Sequence, residues 1–336
     1  MENKRPYSVF VMLMLLSHVL LTIDVIAQDI GSEYISFSTN RNGNYDIYMI
    51  DRHGGNLQAL LDGPADEIHA RWSPNGRYLA YASNENAAFY NIYVMDMRTQ
   101  QRWQLTDLPA NDTTPTWSPD GTEIAFISDR RGEYRIYKMG INGEKLSHLT
   151  KGGSDWGPAW SPDGQWIAYN TLQPDPPHKR VYLYIVSADG RKPRRLATAV
   201  EKGRSAAWSP DSKKIAFSTW ELGIGPKIAI IDVESGKLRR VTLGGRVPGG
   251  RVFMKYAPAW SPDGKWIAYV SDNLEVQHKT FLYVVDAAGE ERAESIRLTT
   301  HLSTNISPAW VPEPFFSVSP SAEKMTTLWG KLKQHR

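Results

Sequence analysis

The residues of this chain with the clearest chemical potential lie five positions before each of six recurring tryptophans. The residues at this position are Glu67, Asp112, Asp155, Gly203, Lys255 and Asn305. The first three are carboxylates in consecutive copies. Because hard cations prefer oxygen ligands, carboxylates brought to one place would bind a metal cation or a basic side chain of a partner. In the alternative interpretation, they cap their own turns or pair with Arg71 and Lys255.

Aromatic side chains outside the repeat form a second set of candidates. Trp156 and Trp220 occupy no strand position that the repeats share, and Phe253 and Tyr256 belong to an irregular insertion. Large aromatic residues anchor many interfaces. We therefore predict that these four residues contact a ligand or partner together with the strand-start residues, and packing between repeats is the alternative.

The motifs of common catalytic centres are missing from the sequence. It contains no Gly-x-Ser-x-Gly elbow, Walker loop or His-Glu-x-x-His helix. Its eight histidines are scattered, and none pairs with another at ligand spacing. We predict a protein without catalytic activity and without a cofactor. Four histidines in predicted loops keep a metal-dependent lyase or hydrolase open as an alternative: His69, His178, His278 and His301.

The candidate residues must be positioned by a repeat, whose most regular part is Trp-Ser-Pro followed by a turn. Its copies lie at residues 72–76, 117–121, 160–164, 208–212 and 260–264, with a degraded one at 310–312. Intervals of 43 to 52 residues fit one four-stranded unit of a radial array. In Pro-Asp-Gly, proline fixes the first φ, aspartate caps the backbone and glycine takes the left-handed position. Their fixed strand position predicts that the six tryptophans are core residues.

The chain ends predict how the array closes. Residues 34–38, 46–51 and 57–61 look like the second, third and fourth strands of a unit, whereas Trp310 supplies only a first strand. Joined, they complete one unit, and closure removes exposed strand edges. The sequence thus predicts an all-β fold, a six-bladed β-propeller of four-stranded blades, closed by pairing the N-terminal strands with a C-terminal strand.

Loop lengths distinguish the two faces of such a ring. The turns after the tryptophans and those between third and fourth strands are short. Connections on the opposite face are longer, including residues 173–180, 220–226, 243–256 and 273–279. Variable loops on a rigid scaffold often carry binding residues. We call this the long-loop face and predict the binding surface there.

The repeat also carries a family resemblance. Trp-Ser-Pro-Asp-Gly, then Ile-Ala-Tyr/Phe-x-Ser, then Ile-Tyr-x-Met-Asp resembles the TolB-type WD-like β-propeller over residues 32–311. The resemblance implies the fold and leaves the function open. TolB itself carries a small α/β domain before its propeller, and we expect the propeller alone here. Similar propellers gate prolyl-oligopeptidase-like enzymes, whose hydrolase domain we do not expect in this chain.

The N-terminus predicts export. Lys4 and Arg5 precede an apolar run at residues 9–21, and small residues lead to Ala27. This pattern favours a signal peptide at residues 1–27 over a retained transmembrane anchor. We expect a periplasmic or secreted protein.

The rest of the sequence sets the remaining expectations. Charged residues make up 22% and the net charge is +3, so the composition does not favour a nucleic-acid partner. There are no cysteines and hence no disulfides. In the tail at 312–336, residues 322–333 suit a short amphipathic helix that docks on the propeller, engages a partner or acts as a sorting tag; disorder is the alternative. We predict a monomeric, exported binding scaffold that recognises a protein or peptide through its long-loop face. The alternative is a channel-metal lyase or hydrolase that acts on an extracellular polysaccharide.

Overall fold

The structure is a computed structural model that describes residues 33–175, 178–198, 205–221, 225–242, 254–272, 276, 278–289 and 294–315. Side chains are not described for residues 174–179, 198 and 220–225. The predicted signal peptide at 1–27 and the tail beyond residue 315 lie outside these ranges.

The described residues form 24 strands in six antiparallel sheets of four. Blade 1 contains β4 (Glu67–Trp72), β5 (Tyr78–Ser83), β6 (Asn91–Asp96) and β7 (Arg102–Gln104). Blade 2 contains β8 (Asp112–Trp117), β9 (Glu123–Ser128), β10 (Arg135–Gly140) and β11 (Ser147–His148). Blade 3 contains β12 (Ser154–Trp160), β13 (Trp166–Asp175), β14 (His178–Ser187) and β15 (Arg194–Thr198).

The other half of the ring repeats this order and closes it. Blade 4 contains β16 (Ala206–Trp208), β17 (Lys214–Glu221), β18 (Gly225–Asp232) and β19 (Leu238–Arg240). Blade 5 contains β20 (Lys255–Trp260), β21 (Trp266–Asp272), β22 (Thr280–Asp286) and β23 (Ile296–Arg297). Blade 6 joins β24 (Asn305–Trp310) to β1 (Tyr34–Thr39), β2 (Asp46–Asp51) and β3 (Gln58–Leu61). The prediction of a propeller closed by its two chain ends is confirmed.

The strand that ends in each tryptophan is the innermost strand of its blade. These six strands, β4, β8, β12, β16, β20 and β24, contact one another around the ring, so they surround a central channel. The fully buried alanines of the second strands, among them Ala80, Ala125 and Ala168, lie in the cores between blades. A small residue at this position lets neighbouring sheets approach closely.

The turn after the tryptophan has the predicted chemistry. In blade 2, Ser118 Oγ donates to Asp120 Oδ1 at 2.5 Å and accepts from the Glu123 backbone N–H at 2.9 Å. Gly121 has φ +70°, a conformation that favours glycine. The same Ser-to-Asp contact recurs at Ser161, Ser209 and Ser261. We call the face that carries these turns the Trp-Ser-Pro face.

The repeat tryptophans also connect neighbouring blades. Trp117 Nε1 donates to the carbonyl of Arg71 at 2.9 Å, in the preceding blade. The equivalent bonds join Trp208 to Ala159 at 3.0 Å and Trp310 to Ala259 at 2.9 Å. The predicted structural role of the repeat tryptophans is thereby confirmed at these positions.

The first residues of the tail pack on the ring. Phe315 is buried, and its ring centroid lies 4.7 Å from that of Trp72. Gly76 lies so close to the backbone of Phe315 that a Cβ atom at this position would clash with it. After Trp310, the chain therefore packs against blade 1 through Phe315.

Candidate functional site in the central channel

The strand-start residues lie where the sequence predicts, but they are not displayed to solvent. Glu67, Asp112, Lys255 and Asn305 are the first residues of β4, β8, β20 and β24, and Asp155 is the second residue of β12. Glu67 is 4% exposed, and Asp112, Asp155 and Asn305 are 0% exposed. Gly203 lies outside the described residues. The prediction that three consecutive blades present carboxylates to a cation or a partner is thus corrected, because Glu67, Asp112 and Asp155 are buried.

Asp112 is held by a buried arginine of its own blade. Arg130 Nη2 donates to both carboxylate oxygens, at 3.0 Å to Oδ1 and 2.9 Å to Oδ2. The Arg130 side chain is only 9% exposed and also lies over the ring of Tyr137, 4.8 Å from its centroid. The carboxylate that could have bound a cation is therefore already neutralised.

Glu67 and Asp155 are less well compensated. Burial, followed by repulsion from Asp46 and Glu85, raises the pKa of Glu67 to about 7, and its best donor, Ser83 Oγ, is 3.4 Å away. Burial raises the pKa of Asp155 to about 6. Hydroxyls of two nearby threonines partly offset this increase, but neither Asp155 oxygen has a partner with hydrogen-bonding geometry. Each carboxylate is thus destabilised in its ionised form.

The other two strand starts are also internal. Asn305 donates through its side-chain amide to the carbonyl of Thr280, and its backbone N–H donates to the Thr280 hydroxyl at 2.6 Å. Lys255 Nζ lies 5.8 Å from the ring centroid of Tyr269, and burial lowers its pKa to about 8. Asn305 thus connects β24 to β22, whereas partial burial disfavours the charged form of Lys255.

The four predicted aromatic contacts have different outcomes. Trp156 is 7% exposed and belongs to the core of blades 2 to 4, so its prediction as a surface anchor is corrected. Tyr256 is partly buried and lines a cavity of about 340 Å³ on the long-loop face, together with Tyr45, Asp272 and His278. Phe253 and the side chain of Trp220 lie outside the described part of the chain.

Within that part, no three His, Asp or Glu side chains come together as a metal site would require.

The opposite halves of the inner strands line a larger cavity, of about 390 Å³. It occupies the channel and reaches the Trp-Ser-Pro face, since Pro162, Pro210 and Pro262 of the turns are part of its wall. The rest of the wall is mostly small or apolar. It includes Pro115, Pro158, Ala207, Pro258, Ala259, Pro308 and four of the repeat tryptophans, Trp160, Trp208, Trp260 and Trp310.

A bulge in the inner strands creates this wall. The pairing with the second strand skips two residues, for example between Thr113 and Thr116 in blade 2. The residue three positions before the tryptophan has positive φ in five blades: His69, Thr114, Gly157, Ala257 and Ser307, at 50° to 60°. Proline follows in four of these blades, and it suits a bulge because it has no N–H to donate.

Among the described residues, the ionisable side chains of the cavity wall all come from blade 1. Arg71 Nη1 donates to the carbonyls of Ala70 at 2.8 Å and Ser307 at 3.2 Å. His69 Nδ1 lies 2.6 Å from the hydroxyl of Ser307. Burial, and then the charge of Arg71, lower the pKa of His69 to about 3, so the imidazole is neutral at physiological pH.

Sequence reasoning missed this cavity because it compared only the start of each inner strand. The signal was available one residue before each tryptophan. Alanine occupies that position in four copies, whereas blade 1 has Arg71. Arg71 is thus the residue by which the sequence distinguishes blade 1 from the other copies at this position.

Six four-stranded sheets around a channel define the class of six-bladed β-propellers. Residues 86–178 and 178–315 match the TolB beta propeller domain family. Because the match covers more than half of the chain, this protein belongs to that family. Among the described residues, no helix has the length and apolarity needed to cross a membrane.

Individual known proteins are similar to parts of the chain. The Tol-Pal system protein TolB of Acinetobacter baylyi is 35% identical over 71 residues, which is 21% of this chain and 16% of that protein. This chain thus matches only about a sixth of the length of that relative.

Solved structures share the fold. TolB from Acinetobacter baumannii superposes with a TM-score of 0.67 at 23% identity, covering 84% of this chain and 67% of that one. An oligogalacturonate lyase in complex with manganese superposes with a TM-score of 0.53 at 17% identity, covering 80% and 74%. At these identities, the likeness shows the fold alone.

Proposed function

We propose that this protein is an exported, non-catalytic scaffold that binds a polypeptide segment of a partner protein in the Trp-Ser-Pro end of its channel. It requires no cofactor for this binding. One observation carries the proposal: a cavity of about 390 Å³, walled by proline, alanine and tryptophan from rigid inner strands. Such a pre-formed apolar concavity binds an inserted chain without first having to be ordered.

Three further observations support the proposal. The family match is to a propeller, and the relatives carry the name Tol-Pal system protein, which points to work alongside other proteins. The predicted signal peptide supports a periplasmic or secreted location, where such a partner would be met. The strand-start carboxylates do not favour the lyase alternative, because Asp112 is already neutralised by Arg130.

Site-specific photo-crosslinking in the producing cell tests both the partner and the face. The crosslinking residue p-benzoylphenylalanine replaces Ala207 in the channel wall, Phe89 on the long-loop face or Leu238 on an outer strand. Phe89 and Leu238 are exposed, so these two positions accept the substitution. We expect a discrete protein adduct from position 207 and none from 238. A specific adduct from position 89 alone would reject the channel and restore the long-loop face.

A blocking variant complements the crosslinking. Ala259→Trp fills part of the channel wall, and we expect it to abolish the adduct formed at position 207 while the protein stays folded. Leu238→Trp, on the outer strand, is the matched control that adds the same side chain elsewhere. Unchanged crosslinking in Ala259→Trp would show that the adduct does not depend on access to the channel.

A further inference from the structure

Within the described part of the chain, Arg71 is the charged side chain of the larger cavity's wall, at a position where other blades have small neutral residues. One position before the tryptophans, the six blades carry Arg71, Thr116, Ala159, Ala207, Ala259 and Ala309. Three positions before, they carry His69, Thr114, Gly157, Ser205, Ala257 and Ser307. The wall is therefore built from small, neutral residues except in blade 1. The propeller fold does not explain the exception, because four other blades have alanine at this position and blade 2 has threonine.

Arg71 is charged but has no acidic partner. Among the described residues it forms no ion pair, and its bonds go to two backbone carbonyls through Nη1. Burial lowers the pKa of the guanidinium to about 10, so it keeps its charge at neutral pH. Arg71 is partly exposed to the channel, and within the described part of the chain no counter-charge offsets the cost of placing this cation against an apolar wall. Arg130 differs from Arg71, because its Nη2 donates to both carboxylate oxygens of Asp112.

The wall around Arg71 also limits which anion would suit it. Prolines, alanines and tryptophans give the wall an apolar surface, beside which an ion pair is stronger than in bulk water. Among the described side chains of this wall, the other groups that offer hydrogen bonds are a few short hydroxyls, the neutral His69 and the indole N–H of Trp260. A sugar acid needs donors and acceptors around its ring, whereas an acidic polypeptide segment needs apolar contact and one charge partner. The planar fork of arginine matches a carboxylate.

We infer that Arg71 binds a carboxylate of the polypeptide that enters the channel, either an acidic side chain or a chain end. The inference rests on the proposed function and deepens it by naming the chemistry of the ligand. His69 lies beside the bound carboxylate, and the indoles of the wall surround the segment.

Nuclear magnetic resonance of the tryptophan indoles provides a direct test on the full chain. The protein is labelled with ¹⁵N at the indole nitrogens, and the signals are assigned by single Trp→Phe changes. Trp208 and Trp310 line the cavity, and Trp103 on an outer strand is the internal reference. The probes are N-acetylglutamate α-amide, its isostere N-acetylglutamine α-amide, N-acetylalanine and galacturonate, each titrated at constant ionic strength.

We expect saturable shifts of the cavity indoles with the glutamate probe or with N-acetylalanine, which distinguish a side chain from a chain end. The glutamine probe should bind at least about tenfold more weakly, in line with a charge-assisted hydrogen bond. Equal affinity of the glutamate and glutamine probes, with no binding of N-acetylalanine, would overturn the inference. So would the absence of saturable shifts with any carboxylate. Tighter binding of galacturonate than of both peptide carboxylates would replace the polypeptide with a sugar acid.

Three variants assign the effect to Arg71. Arg71→Ala restores the residue found in four other blades, so it should fold with an unchanged or higher Tm and lose at least about tenfold in carboxylate affinity. Arg71→Lys keeps the charge without the fork, and its affinity should lie between the two. Arg98→Gln removes an exposed arginine from the same face and should bind as the wild type does. Wild-type affinity in Arg71→Ala would refute the role of Arg71. Should Arg71→Ala fail to fold, Arg71→Lys carries the test, and wild-type affinity there together with weak discrimination against glutamine would refute it.

The crosslinking described above separates this inference from the proposed function. An adduct from position 207 that persists in Arg71→Ala leaves the polypeptide site intact and refutes the carboxylate contact. Absence of any adduct from position 207 in the wild type refutes the polypeptide site itself.

Discussion

The two ends of the inner strands use the same repeat in opposite ways. At their starts, the ring buries charged or amide side chains, including Glu67, Asp112 and Asp155. At their ends, it leaves a cavity of about 390 Å³ walled by small residues and prolines, with Arg71 as an unpaired charge. The first arrangement encloses carboxylates, of which Asp112 is neutralised by Arg130 while Glu67 and Asp155 are poorly compensated, and the second leaves an open cavity. The polar strand starts are therefore enclosed, and the site that we propose lies where blade 1 departs from the repeat, at Arg71.

The largest effect that this comparison predicts is at a strand start. Asp112→Ala leaves the buried guanidinium of Arg130 without its carboxylate, and we expect a loss of about 3–5 kcal/mol in the free energy of unfolding. Urea denaturation measures it. The matched control is Glu123→Gln, which breaks a partly exposed pair with Lys138 and should cost less than about 1 kcal/mol. Equal losses in the two variants would contradict a structural role for the strand start.

The fold was predictable because each blade repeats the same local signals. Trp-Ser-Pro-Asp-Gly fixes a turn through proline and glycine, and the alanine of the second strand marks close packing, so strand number and ring closure follow from counting. The site was not predictable in the same way. Whether Asp112 faces a cation or Arg130 depends on a side chain 18 residues away, contributed by another loop. The bulge that opens the cavity has no fixed residue type, since His69, Thr114 and Gly157 all adopt it.

A second prediction concerns pH. The pKa of Asp155 is raised to about 6 and that of Glu67 to about 7, so the folded protein binds protons more tightly than the unfolded chain does between about pH 4 and 7. These groups therefore lower the stability as the pH rises through that window. We expect the free energy of unfolding of Asp155→Asn to exceed that of the wild type by on the order of 2–3 kcal/mol at pH 8, and to show no such gain near pH 4.

Denaturation curves of wild type and variant across this pH range provide the measurement. Asp263→Asn is a control of opposite sign, because Ser261 and the backbone N–H of Lys265 donate to Asp263 and its pKa is lowered. The ionised Asp263 carboxylate of the wild type stabilises the fold at neutral pH, and this stabilisation is lost as the pH falls. If Asp155→Asn instead lost stability at pH 8, the strand start would be a satisfied anion site and not a strained one.

A smaller effect is expected from the indole bonds that join blades. Trp117→Phe removes the donor to the Arg71 carbonyl, and we expect a loss of about 1–2 kcal/mol from the hydrogen bond and the trimmed packing. Trp260→Phe is the matched control, since the Nε1 of that tryptophan is buried without a hydrogen-bond partner. It should cost less than Trp117→Phe in chemical denaturation. The reverse order would mean that packing, and not the inter-blade bond, sets the contribution of these residues.

The smallest predicted effect on stability comes from a substitution in the bulge. It tests whether the bulge shapes the cavity without stabilising the ring. Thr114 has φ +50°, which is unfavourable for a β-branched residue, and its hydroxyl is buried without a partner, whereas blade 3 has Gly157 at the same place. Thr114→Gly relieves both costs but increases the conformational freedom of the unfolded chain. We therefore expect the free energy of unfolding to stay the same or to rise by up to about 1 kcal/mol. Thr113→Gly, one residue earlier in the ordinary strand, should instead lose about 1 kcal/mol. A clear loss of stability in Thr114→Gly as well would show that the bulge contributes to the stability of the ring, and the distinction between a stabilising and a binding end of the inner strands would no longer hold.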